Sequence, residues 1–304
     1  MDEIWIANRH LKVGFNPRLG GRVVAIFPVN GPLKNKNLLW FEGDKKPLDT
    51  SWLHGGMPLL FPFAGWVWDG DRKGAYHHGD KHYSMPIHGF AHYHEWDAVI
   101  TEGSKLSLVL LDTEDSRAIF PWKFKLQQEW RVSQQELIYQ VTVKNLGYLA
   151  CKGPRKMPLS LGLHPYFSAA AFPYEQVCLE SHARSFCAVN TKGKAGEEQQ
   201  VKQTISWDLK EDLHHNAILC NFPQAEAQSL LKTDSLQLMI EGHGDPSTGC
   251  MVTWSDRQGR YFCLEPWMGK PDALNEDDGL KWLSEGESLT WSGCLKISYP
   301  NDHE

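Results

Sequence analysis

Residues 122–143 read WKFKLQQEWRVSQQELIYQVTV, and this stretch decides the fold class. In its first half nearly every second side chain is large and apolar. After the polar residues 133–135 the alternation resumes from Leu137 to Val143. A period of two places successive side chains on opposite faces of a β-strand. The stretch therefore predicts a long antiparallel hairpin with one buried face.

The same pattern predicts further strands on both sides of this hairpin. They cover residues 106–111, 236–240, 251–254, 261–264 and 289–297. No stretch of a dozen residues carries an apolar face at helical spacing, and the 26 glycines and 17 prolines are spread along the chain. We therefore predict an all-β fold with few short helices, in which many strands are joined by turns.

The chain of 304 residues is long enough for one large domain. Its most linker-like stretch, residues 191–204, is polar and has no aromatic residue. Strands of similar character are predicted on both sides of it. We therefore expect a surface loop at 191–204 and a single domain over residues 1–304.

Charge and composition exclude several classes of protein. The formal net charge is −6 without a long run of Lys or Arg, which argues against a nucleic-acid partner because phosphates need cations. No window approaches the roughly 18 apolar residues of a membrane helix, and the start MDEIWIANRH does not resemble a secretion signal. The seven cysteines are odd in number and form no CxxC. We therefore expect a cytoplasmic protein with reduced thiols and no membrane partner.

Four motifs interrupt the strand pattern with His, Glu, Pro, Gly and aromatic residues. They are GGMPLLFPFAG at 55–65, MPIHGFAHYHEW at 85–96, GLHPYF at 162–167 and CLEPWMGKPDALN at 263–275. Taken singly, each is also compatible with an ordinary turn, since Gly and Pro mark turns. A functional interpretation therefore depends on all four motifs taken together.

Two other kinds of chemistry find little support. His92-Tyr93-His94 has a paired-histidine spacing, with more histidines at 77, 78 and 82, but no later segment offers an obvious matching ligand. We therefore predict no bound metal. The chain also lacks a GxSxG nucleophile motif, a Walker loop and a Rossmann glycine pattern, so we predict no cofactor.

The order and wording of the four motifs resemble the galactose mutarotase-like superfamily, which contains the aldose 1-epimerases and the related hexose-6-phosphate 1-epimerases. The resemblance runs from Gly55 to Asn275. It implies a large antiparallel β-sandwich, often called a supersandwich, with a sugar-binding cleft across one sheet. It agrees with the strand-rich pattern found independently.

The resemblance also implies a chemistry, in which a small sugar is the partner and the ring opens and recloses on the other face of C1. Glu265 would be the base that takes the proton of the C1 hydroxyl, and His164 the acid that protonates the ring oxygen. His88 would bind the sugar near that oxygen. Trp66, Trp68 and Trp267 lie in or beside the motifs and are candidates for the cleft, where their rings would stack on the sugar. No metal or cofactor would be needed.

The sequence departs from the family pattern at three positions. Trp66 and His92 stand where the family commonly has arginines, and neither can grip a phosphate as a guanidinium does. Asn216 is the best match to an acidic residue that binds sugar hydroxyls. Arg72 or Lys81 would be the compensating cations.

Three functions remain open at this point. They are an aldose 1-epimerase acting on a free hexose, a weakly active or non-catalytic carbohydrate-binding protein on the same fold, and a hexose-6-phosphate 1-epimerase. The missing arginines weigh against the phosphorylated substrate. The presence of both Glu265 and His164 favours an enzyme.

Overall fold

The structure is a computed structural model that describes residues 3–42, 54–149, 156–210, 216–223, 226–243, 249–255 and 259–300. Strands dominate these ranges. Besides two single turns of 3₁₀ helix at Pro17–Leu19 and Tyr174–Gln176, the helices are α1 (Glu114–Ile119) and α2 (Ala273–Glu276). No helix in the described ranges has the length and apolar character needed to cross a bilayer.

The described residues form 26 strands. In chain order they are β1 (Ile4–Ala7), β2 (Leu11–Asn16), β3 (Arg22–Pro28), β4 (Leu59–Leu60), β5 (Trp68–Asp69), β6 (Arg72–Lys73), β7 (Ala75–His78), β8 (Lys81–Ser84), β9 (Asp97–Glu102), β10 (Lys105–Leu111), β11 (Trp122–Ser133), β12 (Glu136–Tyr148), β13 (Met157–Leu159), β14 (Gly162–Leu163), β15 (Tyr166–Ser168), β16 (Cys178–Ser181), β17 (Ser185–Val189), β18 (Ala195–Gln200), β19 (Ile205–Asp208), β20 (Asn216–Cys220), β21 (Glu226–Lys232), β22 (Gln237–His243), β23 (Cys250–Ser255), β24 (Tyr261–Trp267), β25 (Lys281–Leu283) and β26 (Ser288–Ser298).

The hairpin predicted from residues 122–143 is confirmed as β11 and β12, which are antiparallel and joined by Gln134 and Gln135. Burial alternates along both strands, with Trp130 opposite Tyr139 on the buried face. Gln134 has a positive φ of 52°, as the tight connection requires. The period-two pattern of the sequence therefore corresponds to side chains that alternate between the core and the solvent.

Two large antiparallel sheets form the sandwich. One sheet has nine strands in the order β19-β16-β21-β22-β26-β12-β11-β10-β9. The other has eight, in the order β18-β17-β20-β23-β24-β14-β4, with β15 also paired to β24. Strands β21 and β22 pack against β23 and β24, so the apolar faces of the two sheets meet and form the core. The predicted β-sandwich is confirmed.

The other predicted strands are also found, as β10, β22, β23, β24 and β26. The loop predicted at residues 191–204 is wrong in part, because Ala195–Gln200 forms β18 at the edge of the eight-stranded sheet. Most of its side chains are exposed, which explains their polar character. An edge strand of this kind has no apolar face for a sequence pattern to reveal.

Candidate active site

The central strand β24 carries Glu265, and the segment opposite it carries His164. Gly162 pairs with Trp267 and Tyr166 pairs with Cys263, so the same register places His164 directly opposite Glu265. The regular pairing lapses at residues 164–165 because Pro165 has no amide hydrogen to donate. Two motifs about a hundred residues apart in sequence thus meet through one strand register.

The two side chains are in contact in the core of the sandwich. His164 Nε2 lies 3.4 Å from Glu265 Oε1, and the two side chains are 6% and 1% exposed. Trp267 Nε1 donates a hydrogen bond of 3.1 Å to the other carboxylate oxygen, Oε2. Because each oxygen has its own partner, the plane of the carboxylate is fixed. The pair therefore presents a proton donor and a proton acceptor side by side to the cavity.

Burial sets the protonation of this pair. It raises the pKa of Glu265 well above its ordinary value, and the hydrogen bond from Trp267 opposes it. Burial also lowers the pKa of His164 well below its ordinary value, helped by the neighbouring His88 and His54. Removal from water disfavours the charged form of each group. Burial therefore favours a neutral carboxylic acid at Glu265 and a neutral imidazole at His164.

His88 is held in an unusual backbone conformation beside the pair. Its φ is 62°, a left-handed value that is uncommon for a residue other than glycine. Its amide donates to the Gly65 carbonyl at 2.8 Å, and its ring Nδ1 accepts from the Gly65 amide at 2.9 Å. Burial, with a smaller effect of His54, lowers its pKa to about 3. The imidazole is therefore neutral with its proton on Nε2, which can act as a donor.

These groups lie around one cavity of about 250 Å³. Its wall consists of His54, Gly65, Trp66, Ile87, His88, His164, Tyr166, Val189, Gly193, Asn216, Val252, Trp254, Glu265, Trp267 and Pro271. The structure thus brings together all six residues that the sequence singled out, namely Glu265, His164, His88, Trp66, Asn216 and Trp267. The volume suits a small ligand, since sites for larger drug-sized molecules measure roughly 300–1,000 Å³.

Sequence reasoning missed several residues of this wall. His54 stacks on Trp254 at a ring distance of 5.6 Å, and its Nδ1 lies 3.4 Å from the hydroxyls of Tyr166 and Tyr261. Tyr166 in turn stacks on His164 at 4.5 Å, with the two planes 10° apart. His54 directly precedes the first motif and Tyr166 lies inside the third, so their positions in sequence could have revealed them. Trp254 gave no such signal, because it ends an ordinary strand.

Trp66 forms one side of the cavity mouth. Lys73 Nζ lies 3.9 Å from the centre of its ring, and Gly193, on the turn between β17 and β18, lies against its edge. Trp68, which was also a candidate for the cleft, lies outside the wall and donates from its indole to the Lys192 carbonyl at 2.8 Å. Trp66 thus lines the cavity, while Trp68 is hydrogen-bonded to the neighbouring turn.

Neither Arg72 nor Lys81 supplies a cation to the cavity. Both are exposed and neither is part of the wall, and Arg72 pairs with Asp69. His92 is buried outside the cavity, where its carbonyl accepts from Arg22 Nη2 at 3.3 Å. Among the described residues that line the cavity there is no Lys or Arg. The described lining is therefore largely aromatic and without a lysine or arginine, while Lys73 lies against the ring of Trp66 outside that lining.

The fold is that of galactose mutarotase-like proteins. A family model described as aldose 1-epimerase matches residues 4–295, and the chain belongs to this family. Among curated proteins none matches significantly. Solved structures similar to this chain include the Slr1438 protein of Synechocystis sp. PCC 6803, with 22% identity and a TM-score of 0.80 over 98% of this chain and 96% of that one.

Two further structures extend the likeness to other organisms. A galactose mutarotase related enzyme from Lactobacillus acidophilus has 18% identity and a TM-score of 0.79, over 99% of both chains. The GalM/aldose epimerase homologue from C. elegans has 18% identity and a TM-score of 0.75, also over 99% of both chains. At such identities the likeness establishes the fold, while the substrate has to be argued from the site.

Proposed function

We propose that the protein is an aldose 1-epimerase that interconverts the α and β anomers of a free hexose. The observation that carries this proposal is the contact of His164 and Glu265 in the wall of a small aromatic cavity. Anomer exchange needs a base for the C1 hydroxyl and an acid for the ring oxygen. Each such group contributes about 10²–10⁴-fold to a rate.

The number of protons held by the His164–Glu265 pair fits this reaction. A neutral acid beside a neutral imidazole holds as many protons as a carboxylate beside an imidazolium. Hydroxyl groups of a bound sugar donate to the carboxylate of Glu265 and stabilise its charge. The proton then resides on His164 across the 3.4 Å contact, which yields base and acid together.

Ring opening follows from this state. Glu265 takes the proton of the C1 hydroxyl, the C1–O1 bond becomes a carbonyl, and the bond from C1 to the ring oxygen breaks. His164 delivers its proton to that ring oxygen. After rotation about the C1–C2 bond the steps run backwards, and the other anomer forms. All protons and electrons are balanced within the pair and the sugar.

The remaining wall residues bind the sugar in this scheme. His88 donates from Nε2 to a sugar oxygen near the reacting centre, since its Nδ1 is occupied by the Gly65 amide. Trp66 and Trp267 cover apolar faces of the sugar ring, and Asn216 at the start of β20 offers its amide to hydroxyls. We place the reaction in the cytoplasm, as the odd number of cysteines without a CxxC favours reduced thiols.

The substrate in this proposal is unphosphorylated. A phosphate needs a cation with several donors, and the described wall contains no Lys or Arg. Lys192 and Lys194 near the mouth are paired with carboxylates, at 3.0 Å to Asp71 and 2.9 Å to Glu276. We therefore expect activity on glucose or galactose to exceed activity on glucose 6-phosphate.

The test is polarimetry or exchange NMR on freshly dissolved α-glucose and α-galactose. The wild type should accelerate equilibration, and Glu265→Gln should lower kcat by at least about 100-fold because it removes the base. Glu180→Gln is a matched control, since that carboxylate lies on the nine-stranded sheet and pairs with Lys232. Sugar binding without any acceleration by the wild type would contradict the proposal and favour a carbohydrate-binding protein.

A further inference from the structure

A third donor lies beside the His164–Glu265 pair. Cys263 is buried and lies two residues before Glu265 on β24, so both side chains belong to the same face of the strand. One nitrogen of His164, the sulfur of Cys263 and one oxygen of Glu265 all lie within 4.8 Å of one another. In the described part of the chain, this is the one group of three or more His, Cys, Asp or Glu residues with such a spacing.

The spacing of these atoms fits a zinc ion. Tetrahedral Zn²⁺ with bonds of about 2.0–2.3 Å holds its donors about 3.3–3.8 Å apart. The 3.4 Å contact between His164 and Glu265 already has this separation. The sulfur of Cys263 lies within 4.8 Å of the other two atoms, so its distances exceed the upper end of this range by at most about 1 Å.

The ligand types and the charges of these three side chains also favour Zn²⁺. Imidazole, thiolate and carboxylate are the three ligand types of zinc sites, and hard cations such as Mg²⁺ take oxygen donors instead. A thiolate and a carboxylate neutralise the two positive charges of Zn²⁺, which removes most of the cost of burying the ion. The hydrogen bond from Trp267 to Oε2 turns Oε1 toward His164, as hydrogen-bond partners of ligands do in zinc sites.

We propose that His164, Cys263 and Glu265 form a Zn²⁺-binding site that inhibits the enzyme. Two of its ligands line the cavity, so the fourth coordination position faces the place of the ligand. Zn²⁺ at this position occupies the His164 nitrogen and the Glu265 oxygen that the proton transfers need. The metal is thus a competitor of the sugar and has no part in the reaction. The inhibition rests on the proposed function, whereas the binding of the metal does not.

Binding is tested with Co²⁺ as a spectroscopic substitute and with Zn²⁺ in calorimetry. Co²⁺ bound to a thiolate gives a charge-transfer band in the near ultraviolet, and the wild type should show this band. Cys263→Ala should abolish it and raise the Kd for Zn²⁺ by at least about 100-fold, because losing a ligand exceeds the 10–100-fold effect of losing a ligand's hydrogen-bond partner. Glu265→Gln is a second variant that removes a proposed ligand, and only its metal binding is measured, which should also weaken.

Cys220→Ala is the matched control. Cys220 belongs to another group of buried thiols, with Cys187 and Cys250, which packs beside Val252 and Trp267 of the cavity wall. This variant should keep the charge-transfer band and the Kd of the wild type. Absence of Zn²⁺ binding by the wild type would overturn the proposal, and so would a band that survives Cys263→Ala or disappears in Cys220→Ala.

Measurements of epimerase activity distinguish the proposed metal site from the proposed function. Zn²⁺ should raise the KM for the hexose without changing kcat, and a chelator should restore the original KM. If the band depends on Cys263 but no sugar is turned over, the metal site stands and the proposed function fails. If sugar is turned over but no band forms, the metal site fails and the proposed function stands.

Discussion

Replacing Trp267 by Phe isolates the hydrogen bond that supports the charged form of Glu265. The indole Nε1 donates to Glu265 Oε2 at 3.1 Å, while the carbon skeleton of the ring lines the cavity. Phe keeps an aromatic ring at this position and removes the donor. Because burial already raises the pKa of Glu265 and this hydrogen bond opposes it, Trp267→Phe should raise that pKa further.

The size of the effect follows from the strength of such a bond. A hydrogen bond to a charged group contributes about 1.5–3 kcal/mol, and one pKa unit corresponds to about 1.4 kcal/mol. In the proposed scheme the uncomplexed pair is active as a neutral acid beside a neutral imidazole, so activity is lost at high pH when Glu265 gives up its proton. The alkaline limb of the kcat/KM profile should therefore move to higher pH by about 1–2 units. The carboxylate formed when sugar binds loses the same hydrogen bond, so kcat/KM on the plateau should fall by about 10- to 100-fold.

The assay is kcat/KM for α-galactose, measured by polarimetry across pH 4.5–9, because this parameter reports groups of the uncomplexed enzyme. The limb belongs to Glu265 and His164 together, since contacting groups titrate as a pair. Trp254→Phe is the matched control, as Trp254 lines the same cavity and stacks on His54. An unmoved alkaline limb with an unchanged plateau in Trp267→Phe would refute the reasoning.

Two further predictions concern sugar binding and acid stability. Trp66→Ala should raise KM roughly tenfold with little change in kcat, since covering an apolar face is worth about 1–2 kcal/mol, and Trp68→Ala outside the cavity should leave KM unchanged. Burial lowers the pKa values of the three fully buried histidines, His88, His92 and His164, and raises that of Glu265, so below about pH 6.5 these four groups bind a net two protons more in the unfolded chain. The free energy of unfolding should therefore fall by about 3 kcal/mol per pH unit from pH 6.5 to 4.5 in urea denaturation. His92→Gln should roughly halve this slope, and an unchanged slope would contradict the assignment of a buried neutral His92.

Local patterns were sufficient for the strands that have one buried face. The hairpin of β11 and β12 could be predicted because its alternate side chains enter the core. The edge strand β18 could not be predicted, because a run of exposed polar residues has the same pattern in a strand and in a loop. The protonation of Glu265 was equally hidden from the sequence, since it depends on how deeply the carboxyl is buried. The family resemblance implied a base at Glu265 and an acid at His164, whereas burial favours the neutral forms of both groups.

The sequence by itself determined the all-β class, the family resemblance and the six candidate residues, because strand periodicity and ordered motifs are properties of the chain. Only the tertiary structure decided which of these residues meet, and how closely. His92, between β8 and β9, lies outside the cavity. The register of β14 and β15 on β24 sets His164 against Glu265. It also places Cys263 beside the pair. Strand register depends on pairing between distant segments, and a one-residue slip would turn every side chain to the other face.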